Sequence, residues 1–150
     1  MNPSKAIFDF IKGEETCKLK AFFPTPNDVP TIGWGATGKD IHLGLVWTQW
    51  QCDSRFYADV MKVAAAINGM LGTVATTQNQ FDAMVSFAYN EGAQRLHDSF
   101  ILSNHLAGKD ALAATFFMHY TKQAGIVLKG LVTRRKAEMA LYLKPQGVTP

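Results

Sequence analysis

The stretch NDVPTIGWGATG, residues 27–38, constrains this chain more than any other. Proline at 30 and glycines at 33, 35 and 38 interrupt a β-branched run, a spacing that suits tight turns and short strands and cannot be held in a helix. The context extends the pattern. Ala21, Phe22 and Phe23 precede PTPND, Val29 to Trp34 follow it, and GATGKD closes the segment, which together read as a small hairpin-like sheet.

Everything around this segment has helical spacing. Ser4 is placed to cap a first helix in which Ile7, Phe10 and Ile11 recur up to Gly13. The column Ile7, Ile11, Glu15, Leu19 steps by four, so a helix continued past Gly13 would carry Glu15 onto its apolar face. Thr48 opens TQWQCDSRFYADVMKVAAAINGML, with Phe56, Val60, Val63 and Ile67 on one stripe. A helix from there to about Leu71 would be roughly 35 Å long, enough to join two lobes. Thr77 starts TQNQFDAMVSFAYNEG, whose stripe of Phe81, Met84, Val85, Ala88 and Tyr89 ends at Gly92. Helices are also predicted over Ser99–Leu106, Asp110–Tyr120 and Leu128–Leu143, with LKPQGVTP as a tail. The fold class expected is α+β.

The chain has 150 residues, 47% of them hydrophobic and 18% charged, enough for one compact unit or two small lobes sharing a helix. A formal charge of +3 is too weak to point to nucleic acid and is compatible with a polyanionic partner. Cys17 and Cys52 lack metal-like spacing and read as free thiols rather than a bridge. His42, His97, His105 and His119 show no paired spacing, so no metal is expected, and no Gly-rich phosphate loop, Ser nucleophile elbow or zinc-amidase pattern occurs. The N-terminus MNPSKAIFDFIKGEE lacks the apolar run of a signal peptide or anchor, and predicts synthesis in the cytoplasm.

One carboxylate stands out chemically. Glu15, at the end of an apolar helix and just before a glycine-rich sheet, is where partial burial would favour the protonated form that a glycosidase acid needs. The plainer reading makes Glu14 and Glu15 solvated acids at a helix end.

The string ETCKLKAFF…VPTIGWGATG resembles the N-terminal signature of phage-type lysozymes (endolysins, glycoside hydrolase family 24). In that signature a glutamate, a leucine four residues on, Ala-Tyr/Phe and Thr-Ile-Gly-Tyr/Trp-Gly follow in order. GLVWTQWQCDSRFYADV, TQNQFDAMVSFAYNEG and GLVTRRKAE are similar to three later blocks of the family, and the four blocks together cover most of the chain. The resemblance implies a single lysozyme-like domain over 1–150. Its parts would be an N-terminal lobe with a short antiparallel sheet (about 1–47), a connecting helix (about 48–71) and an all-helical C-terminal lobe (about 72–146).

It also implies hydrolysis of the β-1,4 bond between N-acetylmuramic acid and N-acetylglucosamine in peptidoglycan, by a monomer without a cofactor, and lysis of a host after a holin opens the membrane. Glu15 matches the family's general acid and Thr31 the threonine that helps position the attacking water. An acid on one face of the sugar and a water on the other suit an inverting displacement, with the two groups roughly 6.5–9.5 Å apart. The chain departs from the family in two places. Pro24 stands where an aspartate or cysteine is usual, and Ala36 where histidine is common.

Asp28, the only carboxylate between Ala21 and Thr31, is the candidate to replace the group missing at Pro24, or else a turn residue bonding its own backbone. Tyr89 and Asn90 match positions facing the cleft and are candidate substrate-binding residues, with core packing and a helix end as their plain alternatives. Trp34 suits a sugar platform or packing between the sheet and the long helix. Arg134 and Arg135 suit an anionic polymer or an intrahelical pair with Glu138. Two rival functions remain at this level: a lytic transglycosylase, which needs only one glutamate, and a wall-binding module without catalysis.

Overall fold

The computed structural model describes residues 1–146; of the expected tail, residues 147–150 lie outside the described residues. Helix α1 (Lys5–Glu14) is capped by Ser4, whose hydroxyl accepts from the Ile7 N–H, and it buries Ile7 and Ile11. The helix does not continue through Glu15. That residue is extended (φ −107°, ψ 158°) and its N–H closes the last turn on the Ile11 carbonyl at 3.2 Å. Gly13 weakens this last turn, and the chain must leave the helix axis to enter the sheet three residues later.

Strand β1 (Lys18–Phe22) pairs antiparallel with β2 (Thr31–Gly33), Lys18 opposite Gly33 and Phe22 opposite Thr31, with an irregularity between these pairs. The returning segment adds a third partner, since Trp47 N donates to Leu19 O at 2.8 Å and Ala21 N to Leu45 O at 2.9 Å. Ile32, Ala36 and Ile41 are buried beneath this sheet in a small apolar cluster with Leu45 and Trp47 against it.

The long helix α2 (Gln49–Leu71) has the boundaries its cap predicts. Thr48 and Gln51 satisfy one another's backbone N–H groups as a capping box. Cys52, Phe56, Val60, Ala64, Ile67 and Leu71 form its buried stripe, and it packs on β2 and on the two helices that follow it. Thr77 and Gln80 repeat the capping box at α3 (Gln78–Glu91), which is buried from Gln80 to Ala88 and ends at Gly92. Each fully buried apolar side chain here contributes about 1.5–3 kcal/mol, so α3 is the element around which the larger core is built.

Short helix α4 (Ala93–His97) packs on α3, α5 (Phe100–Leu106) on α4 and on α6 (Asp110–Thr115), and the long pattern expected to Tyr120 finishes as a 3-10 turn at Phe116–His119. Before the last helix, β3 (Lys122–Gln123) and β4 (Ile126–Val127) form a two-residue hairpin, so the helical lobe also carries a minimal sheet. Its tip, Ala124-Gly125, has positive φ at both residues, as a two-residue hairpin turn requires. Helix α7 (Lys129–Leu143) then packs along α3. No helix among the described residues is long and apolar enough to cross a membrane.

Candidate active site

Glu15 sits where α1, α3, α7 and the loop after β2 converge. Arg134 of α7 donates from Nη1 to Glu15 Oε1 at 2.9 Å, from Nε to Glu138 Oε1 at 3.2 Å and from Nη2 to the Ser86 carbonyl at 3.3 Å. The arginine side chain is 4% exposed and that of Glu15 23%, so a buried cation holds a carboxylate that water still reaches. Glu15 Oε2 faces Gly35, where a Cβ would stand 3.6 Å away; the backbone there, at φ 95°, is one that favours glycine. An open cavity of about 300 Å³ is lined by Glu14, Glu15, Asn90, Gly130, Leu131 and Arg134. A second cavity of about 510 Å³ shares Asn90 and Leu131 with it and extends along Glu91, Arg95 and Lys122.

The other expected site residues are placed as follows. Thr31 is buried at the start of β2, opposite Phe22, and its hydroxyl donates to the Val29 carbonyl at 3.1 Å, which leaves its lone pairs for a donor such as water. Asp28 closes the turn after Phe23. Its N–H donates to Thr25 O at 3.1 Å and its Oδ2 accepts from the Thr25 hydroxyl at 2.9 Å. Neither Thr31 nor Asp28 hydrogen-bonds Glu15, whereas Arg134 does so directly.

Tyr89 donates its hydroxyl to the Trp34 carbonyl at 2.7 Å and sets its ring edge-on to Phe56, 5.6 Å away. Burial, reinforced by the Glu15 charge, pushes its phenol well above the ordinary range, so the group is a fixed donor that ties the glycine loop to α3. Asn90 lines both cavities, and its carboxamide oxygen accepts from Arg135 Nη2 at 3.0 Å. Trp34 packs against α2: its indole N–H donates to Asp53 Oδ1 at 2.8 Å, and Lys12 lies 5.0 Å from the ring centre.

Beneath the cavity lies a charged cluster whose extent the sequence does not reveal. The pairing of both arginines with Glu138 is present, but Arg134 also spans to Glu15, and Arg135 reaches Asn90 and, at 3.3 Å, Glu91. Spacing along one helix displays pairs four residues apart and says nothing of partners on other elements. The only sequence signal was two arginines inside a helix that must also bury an apolar face.

Among the described residues no three His, Cys, Asp or Glu side chains gather as a metal site would require. His105 is instead buried between Tyr142 and Thr76, and both cysteines are free.

A family model described as phage lysozyme matches residues 12–138. The endolysin of Bacillus phage PZA is 40% identical over 143 residues, covering 95% of this chain and 55% of that protein, so the chain spans about half the length of this relative. Among solved structures, the endolysin from Escherichia coli O157:H7 phage FAHEc1 superposes with a TM-score of 0.82 at 34% identity, covering 95% of this chain and 94% of that one. The muramidase domain of SpmX from Asticaccaulis excentricus does so with 0.84 at 31% identity, covering 96% and 99%.

Proposed function

Because the chain belongs to the phage lysozyme family, we propose that it is a muramidase that hydrolyses the β-1,4 bond between N-acetylmuramic acid and N-acetylglucosamine in peptidoglycan. The observation that carries this reading is the Glu15–Arg134 contact of 2.9 Å at the wall of an open cavity. Glu15 is the general acid and gives its proton to the departing glycosidic oxygen. Thr31 holds the attacking water through a lone pair that its bond to Val29 leaves free. Asp28 is taken up by its turn with Thr25 and orders the loop that carries Thr31; the alternative, in which its other oxygen receives the proton of that water, is separated by Asp28→Asn.

In this reading Asn90 offers its amide N–H groups to a sugar, since its oxygen is occupied by Arg135. Tyr89 contributes by fixing the Gly35 loop rather than by stacking. The protein acts as a monomer whose residues 1–146 form one lysozyme-like domain, needs no cofactor, and lyses its host once a holin has let it reach the wall from the cytoplasm. Mass spectrometry of digested peptidoglycan tests the chemistry: reducing muramic ends are expected, and anhydromuramic ends would assign a transglycosylase in its place. Wall binding with no product at all would leave only a binding module.

A further inference from the structure

Glu138 is fully buried in α7 and lines neither of the two cavities. Its Oε1 accepts from Ser86 Oγ at 2.6 Å, from Arg134 Nε at 3.2 Å and from Arg135 Nη2 at 3.0 Å. Its Oε2 stands 2.7 Å from Arg135 Nε as an ion pair, although neither of those two atoms is aligned for a hydrogen bond. Burial pushes the Glu138 carboxyl up, and Arg135, the Ser86 hydroxyl and Arg134 oppose that shift, so its charged form depends on the cations that face it.

The charges balance in a way that bears on Glu15. The cluster holds the buried Arg134 and Arg135 against the buried Glu138 and the partly exposed Glu91, two positive and two negative groups without Glu15. Arg95, 3.4 Å from Glu91, is 59% exposed on the solvent side and screened there. The other groups facing Glu15 are Glu14 at the end of α1, the neutral Tyr89 and Asn90 of α3, and the glycine loop. Arg55 and Asp59 of α2, which Tyr89 also senses, pair with each other at 3.0 Å.

We propose that Glu138 is a positioning residue for the acid: it orients Arg134 through Nε and cancels most of its charge, so that Arg134 can grip Glu15 without holding it permanently ionised. This rests on Glu15 being the general acid. A bare buried guanidinium at 2.9 Å would favour the carboxylate over the acid and disarm it at neutral pH. With Glu138 opposed to it on the same guanidinium, Arg134 supplies direction with little net field. Ser86, donating to the same Glu138 oxygen, fixes the carboxylate against rotation.

The test is the pH profile of peptidoglycan turbidity loss for Glu138→Gln, Glu91→Gln and Glu15→Gln, each checked by thermal melting. Glu138→Gln keeps the acceptor for Arg134 and removes the charge. The alkaline limb, along which the acid loses its proton, is expected to move to lower pH by about one unit, while activity on the acidic side is retained. Glu91→Gln, farther out and partly exposed, is expected to move it the same way by less. A merely structural Glu138 would lower the melting temperature and leave the limb in place.

A folded Glu138→Gln with the wild-type limb overturns the proposal. If that variant does not fold, Glu91→Gln decides: a shift supports the proposal and an unmoved limb overturns it. Full activity in Glu15→Gln would instead overturn the reading of Glu15 itself, so the two failures are distinct.

Discussion

Arg134 Nη1 lies 2.9 Å from Glu15 Oε1 across 119 residues of sequence, and this one contact joins the first helix to the last at the cavity wall. Glu15 is thereby placed by tertiary structure. Its own backbone is already extended and is tied to α1 by the bond from its N–H to the Ile11 carbonyl.

The two loop residues separate cleanly by substitution. Thr31→Ala removes the proposed water-holding oxygen from a buried position and should lower the rate of peptidoglycan hydrolysis by about tenfold or more. Asp28→Asn keeps an acceptor for the Thr25 hydroxyl and should stay within about threefold of wild type. Initial rates of turbidity loss measure both; a severe loss in Asp28→Asn would make that carboxylate the base for the water.

Ile11 is fully buried one helical turn before Glu15. Ile11→Ala should cost about 2–5 kcal/mol, read from urea unfolding, because α1 packs its apolar face on α3 and cannot close the gap without moving. Activity should fall with it even under conditions where the variant is folded, since the end of α1 carries Glu15.

His105 supplies a pH dependence of stability. Burial lowers its pKa below the ordinary value, and burial outweighs the opposing pull of Asp110, 3.5 Å from its Nδ1. The unfolded chain therefore binds this proton more readily than the folded one. Its contribution is present above about pH 6.5 and is lost as pH falls below that value. Urea midpoints at about pH 7.5 and 5.5 should differ for the wild type, and His105→Gln should flatten that part of the difference.

The two thiols should differ in reactivity. Burial first, and then the neighbouring Cys17, push the Cys52 thiol up to about 11, while Cys17 is partly exposed next to Gln49. A thiol reagent at neutral pH should modify one cysteine in the folded protein and both after unfolding.

Much of this architecture is legible in the sequence because it is written locally. Ser4, Thr48 and Thr77 cap the helices they were expected to cap, and the helix expected from Thr48 to about Leu71 is α2. The glycines of 33 to 38 mark the sheet for the same reason, since positive φ at Gly33 and Gly35 is a property of single residues. The two-residue hairpin at 122–127 escapes such reading because it is too short to show a period. The charged cluster escapes it because Glu15, Ser86, Asn90 and Glu138 meet only through folding. Its arginines looked like one helix's own pairs, and the half of their bonding that matters for Glu15 crosses between helices.

The most direct measurement is the rate of turbidity loss with Glu15→Gln on purified peptidoglycan, alongside its thermal melt. The substitution preserves shape and an acceptor for Arg134 but removes the transferable proton. A fall in rate of about 10²-fold or more, with the melting temperature little changed, is the predicted result. A folded Glu15→Gln that clears peptidoglycan at the wild-type rate would contradict the account.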